Sequence, residues 1–240
     1  MKDQFDFQNF TIRQDRCAMK VGTDGVLLGA WAQGGGRILD IGAGTGLISL
    51  MMAQRFPESR IYGIDIDSDA CGQARENVAA SKYADRVEMR ECSLQTLATF
   101  GDDAHVTPRR FDAIVSNPPF FENSMKNPDS KRQMARHTDT LSYQDLFRGV
   151  DRLLEECGVF SMIVPAEGMD RVLSESCISG LFLSSQYGVK TTSRKQPKRY
   201  LLAFTKRRPC EVDVQTVNML EADGLRSEWY RKLTDEFYLY

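Results

Sequence analysis

Histidine is nearly missing from this 240-residue chain: His105 and His137 are the only two, and they lie far apart. Chemistry built on paired imidazoles, or a zinc site of mixed Cys and His ligands, therefore lacks its groups, and no metal is expected. The six cysteines, Cys17, Cys71, Cys92, Cys157, Cys177 and Cys210, are scattered and form no C-x-x-C pair. That pattern predicts reduced thiols in a cytosolic protein. Long apolar runs are absent too. Nothing approaches the roughly 18 residues that would suggest a membrane span, and the opening MKDQFDFQNF lacks the apolar segment of a signal peptide. A cytoplasmic location is expected. Nor is there an excess of one charge: 31 Lys+Arg against 33 Asp+Glu leave a net −2. A polyanionic partner would have to be held by a local basic patch. What is present is a hydrophobic fraction of 42%, enough to fill one sizeable core.

Short apolar, β-rich runs alternate with amphipathic stretches between about residues 37 and 165. Strands are predicted at 37–41 (RILDI), 60–65 (RIYGID), 86–91 (RVEMRE), 111–116 (FDAIVS) and 158–165 (GVFSMIVP). Helices are predicted at 47–56, 68–81 and 142–157, the last opened by Ser142 as N-cap. Such alternation predicts a parallel sheet covered on both faces. Two further strands, within 180–191 and 199–207, would pair antiparallel at one edge. No internal repeat or long polar linker divides the chain, so one domain is expected over 1–240. Residues 1–36 would lead into a core at 37–207, and 208–240 would extend from it. Met51 and Met52 read as core fillers on the helix packed against the sheet.

The stretch ILDIGAGTGLISL (38–50) is a strand, a glycine turn and a helix start. Gly42, Gly44 and Gly46 permit positive φ and close backbone approach, which suits a nucleotide-like ligand, although such turns also occur for packing alone. The spacing G-x-G-x-G displaces the third glycine of the dinucleotide fingerprint, which argues against an NAD site. Asp65 ends the next strand, where a carboxylate can accept both hydroxyls of a ribose. Asp67 competes for that role but reads better as a helix N-cap.

Asp40-Ile-Gly-Ala-Gly-Thr-Gly46 together with Asp65 resembles the cofactor loop of the class I S-adenosylmethionine-dependent methyltransferases, in order and spacing across about residues 37–165. The resemblance implies a Rossmann-like fold with a mostly parallel seven-stranded sheet and an antiparallel edge strand, and S-adenosylmethionine as cofactor. It implies that Asp40 lies near the methionine end, that the glycines meet the cofactor backbone, and that Asp65, followed by Ile66, holds the ribose. Family members often carry an acid after the third strand to meet the adenine. This chain has Glu-Cys-Ser-Leu at 91–94, so Cys92 or Ser93 would serve instead. Nothing in the sequence activates Cys92 as a nucleophile.

In that setting the corner Ser-Asn-Pro-Pro-Phe-Phe (116–121) acquires a chemical meaning. An exocyclic amine on a base is a poor nucleophile because its lone pair is delocalised into the ring. Two acceptors aimed at its N–H bonds, the side-chain oxygen of Asn117 and the carbonyl of Pro118, localise that pair toward a methyl donor. Pro118 and Pro119 stiffen the turn, and Phe120 can stack on the target ring. The motif resembles the N-P-P-aromatic signature of methyltransferases acting on adenine N6, guanine N2 or a glutamine amide. The segment RQDRCAMKVGTDGVLLGAWA (13–32) is similar to the lead-in of the bacterial tRNA(Val) (adenine-37-N6)-methyltransferase family. By that likeness Lys20, Thr23 and Asp24 lie close to the cofactor; Thr23 could equally be the N-cap of a helix at 24–32.

The resemblance implies methyl transfer to an adenine N6 in tRNA. The alternatives are guanine N2 in ribosomal RNA, a glutamine amide in a protein, or a non-catalytic nucleotide-binding module. Two basic segments are candidates for RNA contact. Residues 122–137 carry Lys126, Lys131, Arg132, Arg136 and His137, and 190–209 hold eight Lys/Arg among twenty residues, interleaved with Tyr200 and Phe204. Each reads equally as a solvated surface. The chain is taken as a monomer.

Overall fold

The computed structural model of the chain describes residues 3–17, 19–99, 110–118 and 141–239. A short hairpin, β1 (Gln4–Asp6) and β2 (Thr11–Arg13), precedes helix α1 (Thr23–Trp31). The alternating part then runs β3 (Arg37–Ile41), α2 (Leu47–Arg55), β4 (Arg60–Asp65), α3 (Ser68–Ala79), β5 (Val87–Glu91), α4 (Leu94–Thr99) and β6 (Phe111–Ser116). After it come α5 (Tyr143–Leu153), β7 (Leu154–Pro165), α6 (Met169–Ile178), β8 (Phe182–Thr192), β9 (Arg199–Thr205), β10 (Asp213–Leu220) and α7 (Glu228–Thr234).

The larger sheet has eight strands in the order β10-β8-β9-β7-β6-β3-β4-β5. All neighbours pair in parallel except those of β9, which is antiparallel to both β7 and β8. The expected parallel sheet and the antiparallel pairing of β8 with β9 are found. Two details differ. The antiparallel strand is interior, and the edge is formed by β10, from the segment expected to lie beyond the core. Of β10, only Val217 is buried and Val214 is exposed, so its sequence carries little of the apolar alternation that marks a strand.

Burial follows the pleat. Ile38, Ala113, Val115 and Ile163 join the core under α1 and α2, while Leu39, Ile114, Met162 and Val164 join the core on the other face, under α5. Strands buried on both faces are why these segments read as continuous apolar runs. Met51 and Met52 are fully buried, as core fillers should be. Gly29 of α1 lies so close to α2 that a Cβ there would meet Met51 Sδ at 2.7 Å, so only glycine lets the two helices approach this far. Ser142 caps α5 by accepting from Asp145 N (3.1 Å), as expected. The helix stops at Leu153, because Leu154 is fully buried opposite Phe111 and the chain continues as β7.

The second core centres on Phe147 of α5, in edge contact with Phe160 (5.5 Å between centroids) and Phe204 (5.2 Å), all three fully buried. Phe147→Ala should cost about 3–5 kcal/mol in urea unfolding. A loss below about 1 kcal/mol would mean that this aromatic cluster does not anchor α5 to the sheet.

Candidate active site

The turn between β3 and α2 holds three glycines in the left-handed region, with φ of 71° at Gly42, 53° at Gly44 and 81° at Gly46, the N-cap of α2. A side chain would be strained at each. The N–H groups of Gly42 and Ala43 donate to Ile64 O (2.9 and 3.0 Å), and that of Gly44 donates to Asp65 Oδ2 (2.8 Å). The loop is thus held down on the end of β4. At Gly42 nothing lies within 4 Å of where a Cβ would be, so the loop's upper surface is open there.

That surface forms one wall of a cavity of about 610 Å³, within the ~300–1,000 Å³ usual for small-molecule sites. Lys20, Thr23 and Asp24 line a second wall, Asn117 lines it at the end of β6, and Val189, Thr191, Lys198, Arg199 and Met219 close the far side from β8, β9 and β10. The side-chain oxygen of Asn117 is shielded from solvent and has no hydrogen-bond partner among the described residues. Ser116 fixes the strand end behind it by donating from Oγ to Ile41 O (2.9 Å). Pro118 is buried. Pro119, Phe120 and the basic segment 122–137 lie outside the described residues.

Of the residues expected at the cofactor, Lys20, Thr23, Asp24, Gly42, Gly44 and Asn117 meet in this cavity; Asp40, Gly46, Asp65, Ile66, Cys92 and Ser93 do not line it. Gly46 lies at the start of α2 behind the loop. Asp40 is fully buried beneath α2, taking the Ser49 hydroxyl on Oδ2 (2.7 Å) while Oδ1 has no partner among the described residues. Burial pushes its carboxyl up to about 7, with the nearby Asp65 charge adding to the rise against the Ser49 bond. Asp65 stands at the end of β4, its Oδ1 accepting from Asp67 N (3.0 Å) and its Oδ2 from Gly44 N. Ile66 beside it is 49% exposed. At the end of β5, Cys92 N donates to Asp65 O (2.9 Å), and burial raises the Cys92 thiol, which suits an inert cysteine. Ser93 Oγ accepts from Thr96 N (3.0 Å), the geometry of a cap on α4.

Two alternatives are resolved. Asp67 is the N-cap of α3, accepting from Asp69 N and Ala70 N (2.9 and 3.2 Å), as its position in the sequence suggested. Thr23 is the first residue of α1 and makes no cap; the N-cap is Gly22. Sequence reading missed the far wall. Arg199 was visible only as part of a basic tract, yet its Nε donates to Asp24 Oδ2 (2.7 Å) and ties β9 to α1 across the cavity. Val189, Thr191 and Met219 carry no local signal, because only the sheet order brings them there.

A parallel sheet whose glycine turn, acid and polar corner stand at adjacent strand ends has the architecture of the class I methyltransferases. A predicted O-methyltransferase from Agrobacterium tumefaciens shares the fold, with a TM-score of 0.66 at 17% identity, over 91% of this chain and 98% of that one. So does a glycopeptide N-methyltransferase solved with S-adenosylmethionine, with a TM-score of 0.54 at 14% identity over 79% and 100%. The model of the methyltransferase small domain matches residues 21–167. The tRNA1(Val) (adenine(37)-N6)-methyltransferase of Phocaeicola vulgatus is 49% identical over 98% of this chain and 97% of its own length. Its counterparts in Bacteroides thetaiotaomicron (44%, covering 98% and 97%) and Trichodesmium erythraeum (43%, covering 90% and 90%) are also similar. The chain therefore belongs to the methyltransferase small domain family, and within it to the tRNA1(Val) (adenine(37)-N6)-methyltransferases, the family its motifs resemble.

Asp40 gives a test of the site's electrostatics. The folded chain holds its proton up to about pH 7, whereas an ordinary aspartate releases it near 3.8. Its contribution to stability is then complete below about pH 4 and is lost as pH rises through 7. Asp40→Asn is neutral throughout, so its melting temperature relative to wild type should climb between about pH 4 and 7 and then level off. A difference that stays flat across that window would mean Asp40 is already ionised in the fold.

Proposed function

We propose that this chain transfers a methyl group from S-adenosylmethionine to N6 of adenine 37 in tRNA1(Val), as a cytoplasmic, monomeric enzyme comprising one methyltransferase domain. The observation that carries the reading is the side-chain oxygen of Asn117, buried and without a partner among the described residues, in the wall of a cavity shared with an open glycine loop. A buried acceptor left unmade is costly, and in a cavity wall it suits a donor on a bound ligand.

The residues present fit the cofactor. The space above Gly42 admits a backbone-hugging ligand, and the cavity volume suits a nucleoside with its amino-acid tail. Lys20, Thr23, Gly42 and Gly44 would hold the tail, Asp65 the ribose, and Ile66 with the Cys92–Ser93 turn the adenine, while Asp40 would act from beneath the loop. Bound S-adenosylmethionine supplies a methyl group already activated by its sulfonium. The chain's task is then alignment rather than strong base catalysis. Asn117 Oδ1 and the Pro118 carbonyl accept the two N–H bonds of the adenine amine and turn its lone pair outward. Proline fixes φ, so the Pro118-Pro119 sequence would hold those acceptors with little reorganisation in the transition state. Phe120 would stack on the extruded base.

The hairpin from β8 to β9 carries Lys190, Arg194, Lys195 and Lys198, and its base forms the far wall of the cavity. Those cations, with the segment 122–137, would track phosphates around the base. Among the described residues no helix is long and apolar enough to cross a membrane.

The direct test is to incubate the protein with isotopically labelled S-adenosylmethionine and tRNA from a strain lacking this modification, then analyse nucleosides. The expected product is N6-methyladenine at position 37; labelled guanine, or label on protein alone, would overturn the assignment. Asn117→Ala should lower kcat by about 10²–10³-fold and leave affinity for S-adenosylhomocysteine nearly unchanged. Parallel loss of both would mean that Asn117 serves the fold.

A further inference from the structure

Helix α3 carries two buried amides on one face, Gln73 (0% exposed) and Asn77 (2%), one helical turn apart. Neither touches the cavity, yet both receive the chain segment that leads into it. Asn77 pairs with the peptide of Arg13 on both sides: Oδ1 accepts from Arg13 N and Nδ2 donates to Arg13 O, each at 2.9 Å. The second N–H of the same amide donates to Thr45 O, in the glycine loop, also at 2.9 Å. Both N–H donors of Asn77 are therefore used, and its oxygen accepts one bond. Gln73 repeats the grip further along, accepting from Arg16 N (3.1 Å) and donating to Asp15 Oδ1 (2.7 Å). From there Gln14 Oε1 accepts from Val21 N (2.7 Å), which ties the gripped segment to the wall at residues 20–24.

The two walls on either side of the expected cofactor tail are thus joined through Asn77, which holds Thr45 and Arg13, and Gln14, which holds Val21. We infer that Asn77 is a positioning residue for cofactor binding: its amide couples the glycine loop to the N-terminal wall, so that a ligand ordering either one orders both. The inference rests on the cofactor reading above. It concerns the carboxamide itself, because a residue that merely filled the space under residue 13 would not need donors aimed at two separate carbonyls.

Asn77→Asp keeps the shape and replaces the donating group with an oxygen that faces Arg13 O and Thr45 O. Calorimetric titration with S-adenosylhomocysteine should show affinity falling by about tenfold or more. The KM for S-adenosylmethionine should rise in step, with kcat at saturating cofactor little changed. Ser176→Ala, which removes another buried hydroxyl, bonded to Leu173 O on α6 away from the cavity, should move neither quantity. Equal affinities in the Asn77 variant and wild type would overturn the inference. Wild type that fails to bind S-adenosylhomocysteine would instead overturn the cofactor reading. Should the Asp variant not fold, hydrogen exchange on wild type decides: S-adenosylhomocysteine should slow exchange at the Arg13 and Arg16 amides together with the glycine loop. Protection of the loop alone would contradict the coupling.

Discussion

The in-register parallel pairing of β3 with β6 is the constraint on which the site depends. Ile41 stands opposite Ser116, and the Ser116 hydroxyl closes onto the Ile41 carbonyl. The next residue of one strand is Gly42 and of the other Asn117, so the glycine turn and the amide corner leave the sheet side by side. A slip of one residue would turn every side chain of one strand to the opposite face and carry Asn117 away from the loop. Burial on both faces forbids that slip, since Ile38 and Leu39, like Ala113 and Ile114, belong to opposite cores.

Against this rigid frame, two of the buried polar atoms with no hydrogen-bond partner among the described residues stand near the glycine loop: Asn117 Oδ1 in the cavity wall and Asp40 Oδ1 beneath the loop. They differ in consequence. Asp40 relieves its burial by holding a proton and by taking the Ser49 hydroxyl. A carboxamide has no such escape, so Asn117 keeps its acceptor until a donor arrives. A violation of polar pairing that falls in the wall of a ligand-sized cavity is where function is expected to lie.

Legibility in the sequence followed range. The β3–α2–β4–α3 order, the glycine loop, the cap at Asp67 and the corner at Asn117 could all be read because each is encoded within a few residues by φ preference, periodicity or missing N–H groups. The far wall could not. Val189, Arg199 and Met219 share a cavity with the glycine loop only through the strand order β10-β8-β9-β7-β6-β3, which no local pattern states. The strand β10 was hidden by its solvent exposure. Gln73 and Asn77 look like ordinary polar helix residues until the N-terminal segment is laid across them. Asp65 illustrates an intermediate case: its place at the strand end was legible, whereas its grip on Gly44 N appears only in three dimensions.

The most direct measurement is a crystal structure with S-adenosylhomocysteine and the anticodon stem-loop of tRNA1(Val). The account predicts the adenine amine within about 2.7–3.2 Å of Asn117 Oδ1, in the cavity between the glycine loop and the far wall. An Asn117 oxygen satisfied by the protein's own backbone, with the adenine bound elsewhere, would contradict it.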